Sequence, residues 1–215
     1  MLIKKQLSTS FWKKFKRGLW LLCLSVAGIL PVTGAVANET ATWRTTMALT
    51  TAAVYLTNAL NADTMSVELG GTDNIGFLRY SARWYREHAS RIGNSSWQIQ
   101  PALQIGYSKW QGSDDLSQKN TNNVFDVLPV FRWSTSRAPK LFVDTGVGLS
   151  LFSSEYITQR EFGGTLQFNN YLGIGTTFGN DKWEASANFQ HYSNNNLYDK
   201  NTGVNFWFLS ISHRY

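Results

Sequence analysis

The chain is 215 residues long and carries 20 Lys and Arg against 14 Asp and Glu, a formal net charge of +6. Such an excess would point to nucleic acid or an anionic surface, but its distribution excludes that reading. Lys4, Lys5, Lys13, Lys14, Lys16 and Arg17 all precede the first acid, Glu39, and beyond residue 37 the basic and acidic residues number 14 each.

Residues 18–30 are apolar and are followed by Pro31, Gly34 and Ala35-Val36-Ala37. A basic stretch, an apolar run and an A-x-A site predict a secretory signal peptide over residues 1–37. The run falls short of the ~20 residues that a spanning helix needs, which argues against an anchor. Leu22 in front of Cys23 argues against a lipoprotein. Residues 38–215 contain no cysteine, so an exported protein of this size must be held together without disulfides. Residues 38–62 form an N-terminal extension in which Leu49, Ala53, Leu56 and Leu60 fall at helical spacing. This stretch is either a short amphipathic helix at the membrane interface or an unstructured lead-in.

From residue 63 the periodicity becomes two. Between residues 97 and 109 one parity reads Trp97, Ile99, Pro101, Leu103, Ile105, Tyr107, and the other Gln98, Gln100, Ala102, Gln104, Gly106, Ser108. Leu141, Val143, Val147, Leu149 and Leu151 oppose Asp144, Gly146, Gly148 and Ser150 in the same way, as do Trp183, Ala185, Ala187 and Phe189 against Glu184, Ser186, Asn188 and Gln190. Strands of about 10–12 residues with one apolar face and one polar or tiny face are the pattern of an outer-membrane barrel. A soluble sandwich would turn its apolar parity inward.

Eight strands are expected near 63–71, 75–86, 97–110, 124–134, 140–152, 164–178, 182–193 and 204–215. An even number of antiparallel strands closes without exposed edges, as lipid requires. The fold class is therefore all-β, an eight-stranded antiparallel transmembrane barrel of the bacterial outer membrane over residues 63–215. Connections after even strands are mostly short (135–139, 179–181), as periplasmic turns are. Those after strands three, five and seven are longer and polar, as extracellular loops are, while 72–74 is short against the trend. Trp43, Trp84, Trp97, Trp110, Trp133, Trp183 and Trp207 are mostly near strand ends, as in an aromatic girdle. Arg79, Arg83, Asp126, Arg132, Asp144 and Glu184 fall on the inward parity, where side chains fill so narrow a lumen. A structural salt-bridge network is their simplest reading.

The penultimate strand breaks the outward rule. After Trp183 to Phe189 it places His191 and Ser193 on the lipid side, two residues apart and therefore pointing the same way. A hydroxyl beside an imidazole is the start of a nucleophile–base pair. Hairpin pairing sets Asn205 across from His191 or Ser193, and Asn170 opposite His191 on the other side. The plain alternative is that these polar residues mark where the apolar band stops.

His191-Tyr192-Ser193-Asn194, followed by Leu197, Asn201 and Gly203, resembles the C-terminal hairpin of outer-membrane lipid A 3-O-deacylases. Upstream, Gly106-Tyr107-Ser108-Lys109-Trp110-Gln111-Gly112, Pro129-Val130-Phe131, Gly146-Val147-Gly148 and Gly163-Gly164-Thr165-Leu166-Gln167-Phe168 look like that family in order and spacing, over roughly residues 63–215. The resemblance implies a serine esterase that removes an ester-linked 3-hydroxyacyl chain from lipid A or lipopolysaccharide. His191 would be the general base and Ser193 the nucleophile. Asn194 would stabilise an oxyanion or support the site, and Asn201 would support it from the loop. The family's third triad member, a Glu, falls at Asn205, and Asn170 stands where the family often has Asp. Asp199 is the nearest other acid, at the wrong spacing. A catalytically silent lipid A-binding or structural barrel is the rival reading, and a lipid A palmitoyltransferase a further one. The partners expected are the outer membrane and lipid A or lipopolysaccharide in its outer leaflet, with a second copy of the chain allowed for and nucleic acid excluded. No motif calls for a cofactor or a metal.

Overall fold

A computed structural model describes residues 57–113 and 120–215. The signal peptide expected over 1–37 and most of the 38–62 extension lie outside the described residues. Eight long strands follow one another: β1 (Thr64–Thr72), β2 (Ile75–Tyr85), β3 (Trp97–Gly112), β4 (Thr121–Thr135), β5 (Ala138–Phe152), β6 (Leu166–Phe178), β7 (Trp183–Ser193) and β8 (Val204–Arg214). Each pairs antiparallel with its chain neighbours, and β8 returns to pair with β1, Val67 opposite Ile211. The chain is thus a closed up-and-down barrel with no unpaired edge, the all-β transmembrane architecture that the alternation predicts.

The parity holds around the circumference. Trp207, Leu209 and Leu69 expose 70%, 67% and 66% of their surface, while their inward neighbours Phe206, Phe208 and Glu68 are buried. An apolar belt this open and continuous, which also takes in Val147, Leu149, Leu151, Leu172 and Ile174, needs lipid to cover it. Trp97, Phe178, Trp183 and Tyr215 line the end that carries the C-terminus. There His213 is sandwiched edge-on between Trp183 and Tyr215, at 4.8 and 4.6 Å. The protein is an integral outer-membrane barrel.

Inside, the charges expected to pair do so. Arg132 makes a two-pronged bond to Asp144 (2.8 and 2.9 Å) and another to Glu184 (2.6 Å), and Arg83 reaches Asp144 at 2.6 Å. Further along the lumen Arg79 binds Glu68, Asp126, Gln190 and the Tyr192 hydroxyl. Charges taken out of water need such complete partnership. Beyond this tier the lumen is aromatic. Trp110 lies edge-on to Phe152 and Tyr192 at 4.9 and 5.1 Å and tilted against Phe206 at 4.6 Å, with Phe162 closing the cluster from the loop above.

One expectation is corrected here. Trp110 does not belong to the girdle: it falls on the even, inward parity of β3, is 1% exposed, and donates its indole N–H to Ser108 Oγ at 3.0 Å. The connection from β2 to β3 is the long one among those after even strands: it runs over residues 86–96, and its Ser90–Arg91 adds a brief strand beside Gln98 and Ile99.

Candidate functional site

The site lies on the outside of the barrel, near the end of β7 that meets the long loops. Pairing sets His191 opposite Asn170 of β6 and Asn205 of β8. One row across three strands therefore reads Asn170, His191, Asn205, over about 10 Å at the usual strand spacing. The row beneath it reads Leu172, Phe189, Trp207, with the last two rings in contact at 4.9 Å. Between these two rows the wall turns polar on β6, β7 and β8, while β5 stays apolar, with Val147 opposite Asn170. Ser193 ends β7, in the same outward column as His191 and opposite Phe168.

The decisive contact is between His191 Nδ1 and Asn205 Oδ1, 2.6 Å apart. An amide oxygen can only accept, so Nδ1–H is the donor of this contact, and in the neutral ring it leaves Nε2 as the acceptor that a general base needs. Of the two positions that hairpin pairing left open for Asn205, it is the one opposite His191. Asn170 completes the row on the other side of the ring and is exposed. Asp199 lies exposed in the loop and makes no bond to His191 among the described residues.

Asn194 and Asn201 hold the loop behind this row. Asn194 points inward and is fully buried. Its amide nitrogen donates to Phe162 O at 2.8 Å and Lys200 O at 2.6 Å, which uses both hydrogens. Its backbone N–H donates to Asn201 Oδ1 at 3.0 Å, and Asn201 donates to Asn196 Oδ1 at 3.1 Å. The tight path of the loop is set by Asn195 and Asn196, both with left-handed backbone at φ 51° and 60°.

A second loop, residues 153–165, packs on the first and was not singled out by sequence reasoning as part of the site. It carries a two-stranded hairpin, Tyr156–Ile157 against Arg160–Glu161, anchored by the buried Ile157 and Phe162. Gly163, at φ +75°, passes so close to the facing loop that a Cβ there would meet Lys200 O at 2.2 Å. The Gly163-Gly164 pair was the only local signal of this approach. Gly203 lies against the imidazole itself: a Cβ on it would stand 3.0 Å from His191 Cε1. Among the described residues no group of His, Cys, Asp and Glu side chains is placed to hold a metal ion.

Residues 75–214 match the family model described as lipid A 3-O-deacylase (PagL). A lipid A deacylase PagL of Pseudomonas aeruginosa is 26% identical over 163 residues, covering 73% of this chain and 88% of that protein. A lipid A deacylase PagL of Bordetella bronchiseptica is 24% identical over 88 residues, 41% of this chain, and the match spans about half (48%) of that protein. The crystal structure of the outer membrane enzyme PagL superposes with a TM-score of 0.61 at 21% identity, covering 71% of this chain and 99% of that one.

Proposed function

The chain belongs to the lipid A 3-O-deacylase family, and from that premise we propose that it hydrolyses the ester-linked 3-hydroxyacyl chain of lipid A from within the outer leaflet. The observation that carries this reading is the 2.6 Å bond from His191 to Asn205 on the lipid-facing wall, with Ser193 in the same outward column. His191 Nε2 takes the Ser193 proton as Oγ attacks the ester carbonyl, giving a tetrahedral oxyanion. Collapse breaks the bond to the sugar oxygen, which leaves with the proton from His191, and the acyl group stays on Ser193. Water, deprotonated by the same imidazole, then releases the 3-hydroxy fatty acid and restores the hydroxyl.

Asn205 orients the ring through its amide oxygen, as the carboxylate of a serine triad does. It does not supply the negative charge that stabilises the imidazolium formed in each step. Of the two roles open to Asn194, support is the one its bonds serve, since both amide hydrogens hold the loop. Backbone N–H groups are the donors left for the oxyanion. Asn201 and Asn170 complete the support. No cofactor enters this chemistry. The N-terminal 37 residues serve as a signal peptide removed on export, which N-terminal sequencing of the membrane form checks.

Mass spectrometry of lipid A from cells expressing the protein tests the reading. Loss of one 3-hydroxyacyl mass with the wild type, and none with Ser193→Ala, is the expected result. An unchanged lipid A, in cells where a Glu-bearing relative is active, would overturn it in favour of a silent lipid A-binding barrel, a reading that the Asn205 amide supports. A gain in mass would mark an acyltransferase.

A further inference from the structure

Arg160 is the one basic side chain of the 153–165 loop whose bond reaches the backbone beside the imidazole. It sits on the short hairpin, half-buried, and its Nη1 donates to Gly203 O at 3.2 Å. Its Nε is buried and unbonded, and it forms no ion pair among the described residues. A guanidinium covered this far with a single carbonyl partner is a poor stabiliser, since burying charge costs free energy unless it is paired. What the bond does hold is the segment that flanks the His191 ring on two sides. Gly203 lies against the Cε1 edge, and Asn205, two residues on, takes the Nδ1 proton. The same loop holds this segment at one further point, Glu161 O accepting from Thr202 N at 3.3 Å, and the start of the facing loop at another, Phe162 O accepting from Asn194 at 2.8 Å.

We propose that Arg160 is a positioning residue for His191, a clamp from the neighbouring loop that fixes Gly203 and Asn205 around the imidazole. It touches no reacting atom. Its contribution to turnover rests on the deacylase reading, but its effect on the ring does not. With the clamp released, the Gly203 carbonyl loses its side-chain tie while the Asn201 bonds and the β7–β8 pairing stay, so the segment shifts first at Gly203, against the Cε1 edge of the ring.

The test uses the full barrel refolded in detergent micelles with ¹³C-labelled histidine. The chain has three histidines, so the His191 Cε1–H signal is assigned by its loss in His191→Gln. In Arg160→Gln the His191 signal is expected to shift or broaden at constant pH, while those of His88 and His213 stay in place. Arg160→Lys, which retains a donor, should fall between. Arg91→Gln, an exposed site on the β2–β3 connection, should move none of them. On lipid A, kcat should fall about tenfold in Arg160→Gln with KM unchanged. Folding is checked by the faster gel mobility of an unheated barrel, and should Arg160→Gln not fold, Arg160→Lys is read in its place. An unmoved His191 signal in the folded variant would overturn the clamp whatever the activity. A moved signal in a protein that deacylates nothing would sink the deacylase reading and leave the clamp standing.

Discussion

An amide at position 205 separates two things that a carboxylate does together. The bond to His191 Nδ1 keeps the ring in the useful tautomer, whereas the charge that would stabilise the imidazolium is missing. Asp→Asn in a serine triad lowers turnover by about 10⁴-fold, chiefly through the wrong tautomer. With Asn205 Oδ1 accepting from Nδ1 the ring keeps its orientation, so Asn205→Glu should raise turnover by less than that ceiling, roughly 10²-fold, in a lipid A release assay. No gain, or a loss, would mean that Asn205 is not the ring's orienting partner. Asn205→Leu should lower activity below the native level, because an apolar group leaves Nδ1–H without an acceptor. His191, Ser193 and Asn205 were all legible in the sequence, because polar residues on an outward parity violate the pattern and a hairpin has few registers. Arg160 and Gly203 were not. Gly203 stood in the sequence only as part of the hairpin motif, with no role; the relation of both to the ring depends on how two loops pack, and loops carry no periodicity.

At the scale of elements, the two faces of β7 have opposite fillings. His191 and Ser193 face out, while Gln190 and Tyr192 turn into the lumen, Tyr192 among Trp110, Phe152 and Phe206. This aromatic cluster is the part of the fold that alternation concealed. Phe206 and Phe208 interleave with Trp207 and Leu209, so both parities of β8 are apolar and only the strand's place in the barrel tells inside from out. Trp110 read as a girdle residue through its nearness to a strand end, although its parity on β3 is the inward one. Trp110→Ala should remove about 3–5 kcal/mol of stability, the usual cost of deleting a large buried ring, seen as a lower urea midpoint for the barrel. A shift no larger than that of an exposed Trp207→Ala would show that the cluster does not support the strands.

For the whole molecule, one tier of the lumen is filled by paired ions where a soluble protein would place apolar side chains. Arg132 joins Asp144 and Glu184 across the lumen, linking β4, β5 and β7. Arg132→Met leaves two buried carboxylates short of a partner and should cost about 3–5 kcal/mol. Heating in detergent, followed by gel mobility, should show unfolding at a lower temperature. Because this network and the aromatic cluster above it fill the lumen among the described residues, the barrel reconstituted in a planar bilayer should show no steady ionic conductance. An open-channel current would contradict the packing.

The row Asn170–His191–Asn205 lies on the wall and not in a cavity, and this placement governs how a substrate arrives. Encounters occur by lateral diffusion in a sheet, so the quantity that sets the rate under the proposed reaction is the mole fraction of lipid A in the surface. Adding inert detergent at a constant total amount of lipid A should slow the reaction in proportion to surface dilution, while adding more of the same mixed micelles should change the rate per enzyme little once every barrel resides in one. An enzyme that drew its substrate from solution would show the reverse.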